Sequence, residues 1–162
     1  LTEDKPQFPG YVVVESEDLS IEQGYQAVLE WINITYDSPD KVIKSQIENK
    51  YIRINGIAKN LYSYLALGAM NVDYDIEFKF QQNRVKFDIT NLQFYIPAGQ
   101  YNAGGWAPLS FDYNNAFKKN GKRKKGYWKQ VDNVLSYFNN LSSSLEKHLT
   151  NPTENFKEEE KW

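Results

Sequence analysis

The stretch VDYDIEFKF, residues 72–80, alternates apolar and polar side chains at every position. Its apolar members are Val72, Tyr74, Ile76, Phe78 and Phe80, and the residues between them are Asp73, Asp75, Glu77 and Lys79. Successive residues of a β-strand point to opposite faces of the sheet. The stretch therefore predicts a strand with one face in the core and the other face in water.

The segments on both sides of this strand also predict β structure. Residues 85–89 continue the alternation, but the apolar set then moves to Leu92, Phe94 and Ile96, a change of phase that is typical of a β-bulge near Asn91. Upstream, β-rich runs predict strands over residues 11–15, 42–47 and 51–58. Residues 61–70 predict a strand extension followed by a loop, with a short helix as the alternative.

Two segments have the period of an amphipathic helix. Ser20 and Gln23 form a capping-box pattern, and the apolar residues that follow recur on one helical face until Pro39. Residues 127–149 show the same period and end before Pro152. The order of elements does not alternate as βα units do, so it favours an α+β fold in which both helices pack on one face of an antiparallel sheet.

Length predicts one domain over residues 11–150, with a lead-in over 1–10 and a flexible tail over 151–162. Within that domain, residues 97–126 predict a long loop and residues 127–150 the C-terminal helix. Apolar residues make up 41% of the chain and aromatic residues 15%, which is typical of a folded protein. Nineteen basic and 21 acidic residues give a net charge of −2, so a globally basic surface for nucleic acid is excluded.

The residue counts argue against several kinds of chemistry. The chain has no cysteine, which excludes disulfides, thiolate metal sites and cysteine nucleophiles. Its one histidine, His148, lies near the end of the second helix, where a cation is favoured by the helix dipole. The three acids of residues 73–77 are too widely spaced along a strand to enclose a metal ion. We therefore predict no cofactor, no metal site and no catalytic residues.

Five short segments carry a resemblance to a known family: residues 11–14, 20–23, 27–31, 38–43 and 51–56, which read YVVV, SIEQ, AVLEW, SPDKVI and YIRING. Together they resemble the bacterial family known as domain of unknown function 4468, which has a TBP-like fold, over residues 11–96. The resemblance implies a curved, five-stranded antiparallel sheet with two helices on one face. It also implies export across the inner membrane of Gram-negative bacteria. The family has no established activity, so no functional residue is transferred.

Aromatic residues surround the glycines of the 97–126 segment. The candidates for a ligand-binding surface are Tyr95, Tyr101, Trp106, Phe111 and Tyr113, since aromatic rings beside amide side chains can stack on a sugar or bind a peptide. Alternatively, Trp106 and Phe111 fold back to cover one end of the core.

One dense basic run follows the aromatic segment. Its cations are Lys118, Lys119, Lys122, Arg123, Lys124 and Lys125, which could hold a polyanion such as phosphate, lipid headgroups, acidic glycan or RNA. The alternative is a solvated loop. Sequence-specific nucleic-acid binding through the sheet is not expected, because the acids of residues 73–77 would repel phosphate.

These observations favour a secreted or periplasmic protein of non-enzymatic type, either a binding module or a part of an envelope assembly with a protein or glycan partner. The alternatives are a hydrolase that acts on envelope material through Asp or Glu chemistry, and weak polyanion binding by the basic run. The chain starts at Leu1, which fits removal of a signal peptide and fits a chosen expression boundary equally well. It contains no run of about 20 apolar residues, so no membrane-spanning helix is predicted.

Overall fold

The structure is a computed structural model that describes residues 10–63, 68–100, 103–111 and 116–150. The strands are β1 (Tyr11–Glu15), β2 (Ile43–Ile47), β3 (Tyr51–Ser63), β4 (Ala69–Gln81), β5 (Arg84–Ile96) and β6 (Gly105–Pro108). The helices are α1 (Ile21–Thr35), α2 (Pro39–Val42) and α3 (Lys125–Thr150). The lead-in before residue 10 and the tail after residue 150, both predicted from sequence, lie outside the described residues.

The strands form an antiparallel sheet in the order β1-β5-β4-β3-β2, and β6 pairs with β5. The prediction of an α+β fold with an antiparallel sheet is confirmed, with one correction: within the described residues the sheet has six strands rather than five. The sixth strand, β6, lies inside the segment that the sequence predicts as a loop. It was missed because four residues that include Gly105 and Pro108 show no strand-like alternation.

Contacts divide the chain into two compact units. Among the described residues, the first unit contains Gly10 and segments 55–75 and 89–139, and the second contains segments 11–54, 76–88 and 140–150. Each unit therefore includes part of β3, β4, β5 and α3. The prediction of one domain over residues 11–150 stays a prediction.

In the second unit, α1 packs on β4. The capping box at its start is confirmed: Gln23 N–H donates to Ser20 Oγ at 3.1 Å, and Ser20 N–H donates to Gln23 Oε1 at 2.9 Å. The Trp31 ring contacts the Phe78 ring edge-on at 5.9 Å between centroids. Trp31 is buried, and its indole Nε1 donates to Ser144 Oγ at 3.1 Å. The buried indole therefore has a hydrogen-bond partner in Ser144, an exposed residue of α3.

In the first unit, α3 packs on β4. Phe138 contacts the buried Tyr74 ring edge-on at 5.2 Å, and the hydroxyls of Tyr74 and Tyr137 lie 2.9 Å apart. Tyr74 is an even-numbered residue of β4 and belongs to the buried, apolar set of that strand. The opposite, open face of β4 carries the acids of residues 73–77, as the alternation predicts.

The structure also bears out the change of phase in β5. Val85, Phe87 and Ile89 are buried, residues 90 and 91 are not, and burial resumes at Leu92 and Phe94. A second small difference concerns Pro39, which begins the four-residue helix α2 rather than only ending α1. Proline suits the first position of a helix because its fixed φ is already helical and it has no N–H to leave unpaired. As a result, β2 begins at Ile43.

Candidate binding surface

Two of the predicted aromatic residues meet on the open face of the sheet in the first unit. Tyr95 in β5 lies directly opposite Trp106 in β6, and their rings contact edge-on at 5.3 Å. Tyr95 follows the buried Phe94 along β5, so it points away from the core. Cross-strand partners share a face, so Trp106 points the same way. Both rings are close to half exposed, at 42% and 46%.

Gln93 and Pro108, the next directly opposed pair of β5 and β6, lie on the same face. We call Gln93, Tyr95, Trp106 and Pro108 the aromatic patch. Sequence reasoning missed Gln93 and Pro108 because their place in the patch depends on the pairing of β6. The signal available in the sequence was that Gln93 lies two residues before Tyr95, which places both side chains on the same face of a strand.

The outer edge of β6 is poorly suited to further strand pairing. Leu109 N–H donates to Leu92 C=O at 2.9 Å, and ladder partners alternate along an antiparallel strand. The backbones of Trp106 and Pro108 therefore face outward, and Pro108 offers no N–H there. A proline at an outward position protects an edge strand from adding another strand. A ligand would accordingly meet the face of the patch rather than its edge.

The other predicted aromatic residues are not part of this patch. Phe111 is half buried against a cluster of the first unit that contains Trp128, Val131 and Leu135, and its ring contacts Tyr127 at 6.1 Å. This is the position that the alternative prediction gave it. Tyr101 and Tyr113 lie outside the described residues.

The basic run folds into a short hairpin, residues 116–125, that we call the basic hairpin. Phe117 and Arg123 form an antiparallel bridge, and Lys118 N–H donates to Lys122 C=O at 2.8 Å. Gly121 N–H donates to Lys118 C=O at 2.9 Å, and Gly121 has a φ of +77°. A three-residue loop that ends in a left-handed glycine is a common hairpin connection. The hairpin joins α3 directly at Lys125, two residues before the predicted helix start.

Trp128 of α3 holds the basic hairpin in place. Its indole Nε1 donates to Ala116 C=O at 3.2 Å, and the Arg123 guanidinium lies 4.2 Å from the ring centroid. The Phe117 ring contacts the Trp128 ring at 5.8 Å. Lys124 N–H adds a hydrogen bond to Ala116 C=O at 2.9 Å. The cations are therefore carried on a defined backbone rather than on an unstructured loop.

A family model described as "Domain of unknown function (DUF4468) with TBP-like fold" matches residues 11–95, just over half of the chain. The chain belongs to this family. The match confirms the resemblance seen in the sequence, and it ends at Tyr95, so Trp106 and the basic hairpin lie beyond the matched residues. No curated protein matches the sequence significantly.

Two solved structures resemble this member of the DUF4468 family. One is a DUF4468 family protein from Bacteroides ovatus, with a TM-score of 0.66 and 15% identity over 86% of this chain and 84% of the other. The second is a TBP-like protein from Parabacteroides distasonis, with a TM-score of 0.55 and 13% identity over 85% of this chain and 91% of the other. At such low identity the likeness shows the fold alone.

The acids on the open face of β4 in this DUF4468 protein have neighbouring polar side chains as partners. Asn55 Nδ2 lies 3.1 Å from Asp73 Oδ2 and 2.9 Å from Asp75 Oδ1, so both carboxylates accept from one amide. Glu77 pairs with Lys79 at 3.5 Å. Across the described ranges, no group of three or more acidic, His or Cys side chains is arranged to hold a metal ion.

The second unit contains a half-open groove of about 370 Å³. Three carboxylates line it, those of Glu17, Asp18 and Glu30, together with polar residues of α1 and the end of α3. His148 Nε2 lies 3.6 Å from Glu30 Oε2. His148 therefore has a carboxylate partner in addition to its place in the last turn of α3. In the part of the chain that the structure describes, no helix is long and apolar enough to cross a bilayer.

Proposed function

We propose that this chain is an exported, non-enzymatic binding module of the bacterial cell envelope, and that its aromatic patch contacts a glycan. The observation that carries the proposal is the exposure of Tyr95 and Trp106 side by side on the open face of the sheet. Large aromatic rings bury much apolar area when they are covered, and adjacent exposed rings mark interaction surfaces. A ligand that covers this face would bury the exposed apolar area of both rings.

The composition of the patch suits a sugar. The apolar face of a pyranose ring can stack on Tyr95 or Trp106, while the Gln93 amide can both donate to and accept from hydroxyl groups. Because Pro108 offers no N–H at the edge of β6, a peptide that adds as an extra strand would find few hydrogen-bond partners there. The flat, open patch therefore favours a glycan over an extended peptide.

The binding proposal is tested with purified envelope polysaccharides, peptidoglycan included. Trp106→Ala and Tyr95→Ala should each weaken binding by about tenfold, as measured by titration calorimetry. Tyr11→Ala is the matched control, because Tyr11 is a 60% exposed aromatic residue outside the patch, and it should leave affinity unchanged. Equal affinities of all three variants and the wild type would overturn the assignment of the aromatic patch.

Export is what the resemblance to the family implies, and this part of the proposal is tested in the natural host. Fractionation of cells that express the full-length gene should place the protein in the periplasm, the outer envelope or the medium. Recovery in the cytoplasm, with a cytoplasmic marker in the same fraction, would contradict the proposed location.

A second candidate function rests on the groove of the second unit. Glu17, which precedes the cap of α1, and Glu30, which lies within the helix, both line it, and paired carboxylates can serve as acid and base in a hydrolase. Release of soluble fragments from envelope polymers, abolished by Glu30→Gln, would establish hydrolysis and overturn the non-enzymatic proposal. No release by the wild type, together with binding that needs Trp106, is the outcome we expect.

A further inference from the structure

The basic hairpin concentrates positive charge that nothing described in the structure neutralises. Its six cations are exposed, and none of them forms an ion pair with a carboxylate among the residues that the structure describes. The whole chain has a net charge of −2, so the rest of the chain carries −8. The hairpin is therefore a basic region in a protein whose remaining residues are acidic overall.

Two features make this arrangement unfavourable for the isolated protein. Lys118 and Lys122 lie opposite each other across the hairpin, and like charges directly opposite are destabilising. Lys124 and Lys125 flank the start of the 26-residue helix α3, whose first turn holds no acid. Cations at a helix N-terminus oppose its dipole. Unfavourable charge arrangements of this kind are common where a site binds a ligand. Here an anionic partner would reduce both the repulsion between the opposed lysines and the unfavourable interaction with the helix dipole.

The residue types indicate which anionic partner fits. Five of the six cations are lysines, which act as point charges rather than as the planar, bidentate donors that read nucleic-acid bases. Among them lies Phe117, which is 42% exposed although it contacts Trp128. Lysines grouped around an exposed aromatic ring are typical of segments that dock on anionic lipid, where the ring sits at headgroup depth.

We propose that the basic hairpin docks this protein on an anionic phospholipid surface, with its lysines against the phosphates and Phe117 at the interface. The net charge of −8 on the rest of the chain would be repelled by the same surface, so docking has one orientation, with the hairpin toward the lipid. Because the hairpin is fixed on α3 through Trp128, little ordering is needed on docking. This site is separate from the aromatic patch and does not depend on its function.

The test is co-sedimentation of the protein with phosphatidylcholine vesicles that do or do not contain phosphatidylglycerol. The wild type should bind only the vesicles with phosphatidylglycerol, and binding should fall as salt is raised past about 0.1 M, where the Debye length is about 10 Å. Each lysine near an anionic surface contributes about fivefold, so K118Q/K119Q/K122Q should bind roughly a hundredfold more weakly.

The matched control is K41Q/K50Q/K59Q, which makes the same change in net charge at three exposed lysines outside the hairpin. It should bind the vesicles as well as the wild type or slightly more weakly, because the charge outside the hairpin becomes more negative. Circular dichroism and thermal unfolding would check that both triple variants are folded. Phe117→Ala should weaken vesicle binding severalfold with no change of charge, and Trp106→Ala should leave it unchanged.

Three results would overturn the proposal. The first is no binding of the wild type to vesicles that contain phosphatidylglycerol. The second is an equal loss in the two triple variants, which would show an effect of net charge alone. The third is tighter binding to duplex DNA than to the vesicles at equal ionic strength, since that would assign the hairpin to nucleic acid. Unchanged vesicle binding by Phe117→Ala would overturn the placement of Phe117 at the interface.

Discussion

Gly56 of β3 is a position at which one added methyl group should destabilise the first unit. A Cβ atom at Gly56 would lie 2.4 Å from both Cζ and Oη of Tyr74 and 2.8 Å from Cε2. Gly56 lies within a regular strand, and its φ is not positive, so alanine suits the backbone itself. The whole effect of Gly56→Ala therefore comes from the clash with the Tyr74 ring.

The Tyr74 ring has little freedom to move away. It is 1% exposed, its hydroxyl lies 2.9 Å from the Tyr137 hydroxyl, and its ring contacts Phe138 at 5.2 Å. An ordinary contact needs at least about 3.4 Å, so the ring must shift by about 1 Å in a close-packed interior. Overpacking costs about 1–3 kcal/mol, and loss of the tyrosine hydrogen bond adds about 1 kcal/mol. We expect Gly56→Ala to lower the free energy of unfolding by about 2–4 kcal/mol.

Chemical denaturation measures this change directly, and thermal unfolding should show a Tm lower by roughly 5–15 °C for a chain of this length. Gly126→Ala is the matched control, because a Cβ there meets nothing within 4 Å in the first turn of α3. It should be neutral or stabilising by up to about 1 kcal/mol. In a Tyr74→Leu background, Gly56→Ala should lose most of its effect. A Gly56→Ala protein as stable as the wild type would refute the packing of Tyr74 described above.

Three further predictions concern single contacts. Ser20→Ala removes the capping box of α1 and should lower the free energy of unfolding by about 1 kcal/mol in urea titrations, whereas an unchanged midpoint would show that the cap contributes nothing. Burial raises the pKa of Tyr137 above its value in the unfolded chain, so the stability that this group contributes is fully present below pH ~10 and is lost as the pH rises further. In Tyr137→Phe, the free energy of unfolding should therefore fall less steeply at alkaline pH than in the wild type. An identical fall in the two proteins would contradict this. Trp31→Phe should lower the free energy of unfolding by about 1–2 kcal/mol, because it removes the hydrogen bond to Ser144. Adding Ser144→Ala to this variant should lower it by little more. Additive losses in the double variant would show that the two side chains act independently.

Much of the fold follows from local sequence patterns. The alternation of residues 72–80 assigns each side chain of β4 to a face, because the period of a strand is two and a slip by one residue would expose the whole apolar set. The cap of α1 at Ser20 and the change of phase after Ile89 are equally local, since they involve only side chains within a few residues of each other. For the same reason, the family could be identified from segments within residues 11–56.

Only the tertiary structure decided the candidate surfaces. β6 exists because Gly105–Pro108 finds β5 as a partner, and a four-residue segment has no pattern of its own that reveals such a pairing. That pairing places Trp106 beside Tyr95 on an exposed face. Phe111, five residues later in the chain, instead packs on the cluster that contains Trp128. Likewise, the lysines of the basic run can be counted in the sequence. That they lie opposite each other across a hairpin depends on the contacts that Trp128 of α3 makes with this segment. Local patterns specify which face of an element is apolar, whereas the neighbour that covers a face is set by long-range contacts that composition does not encode.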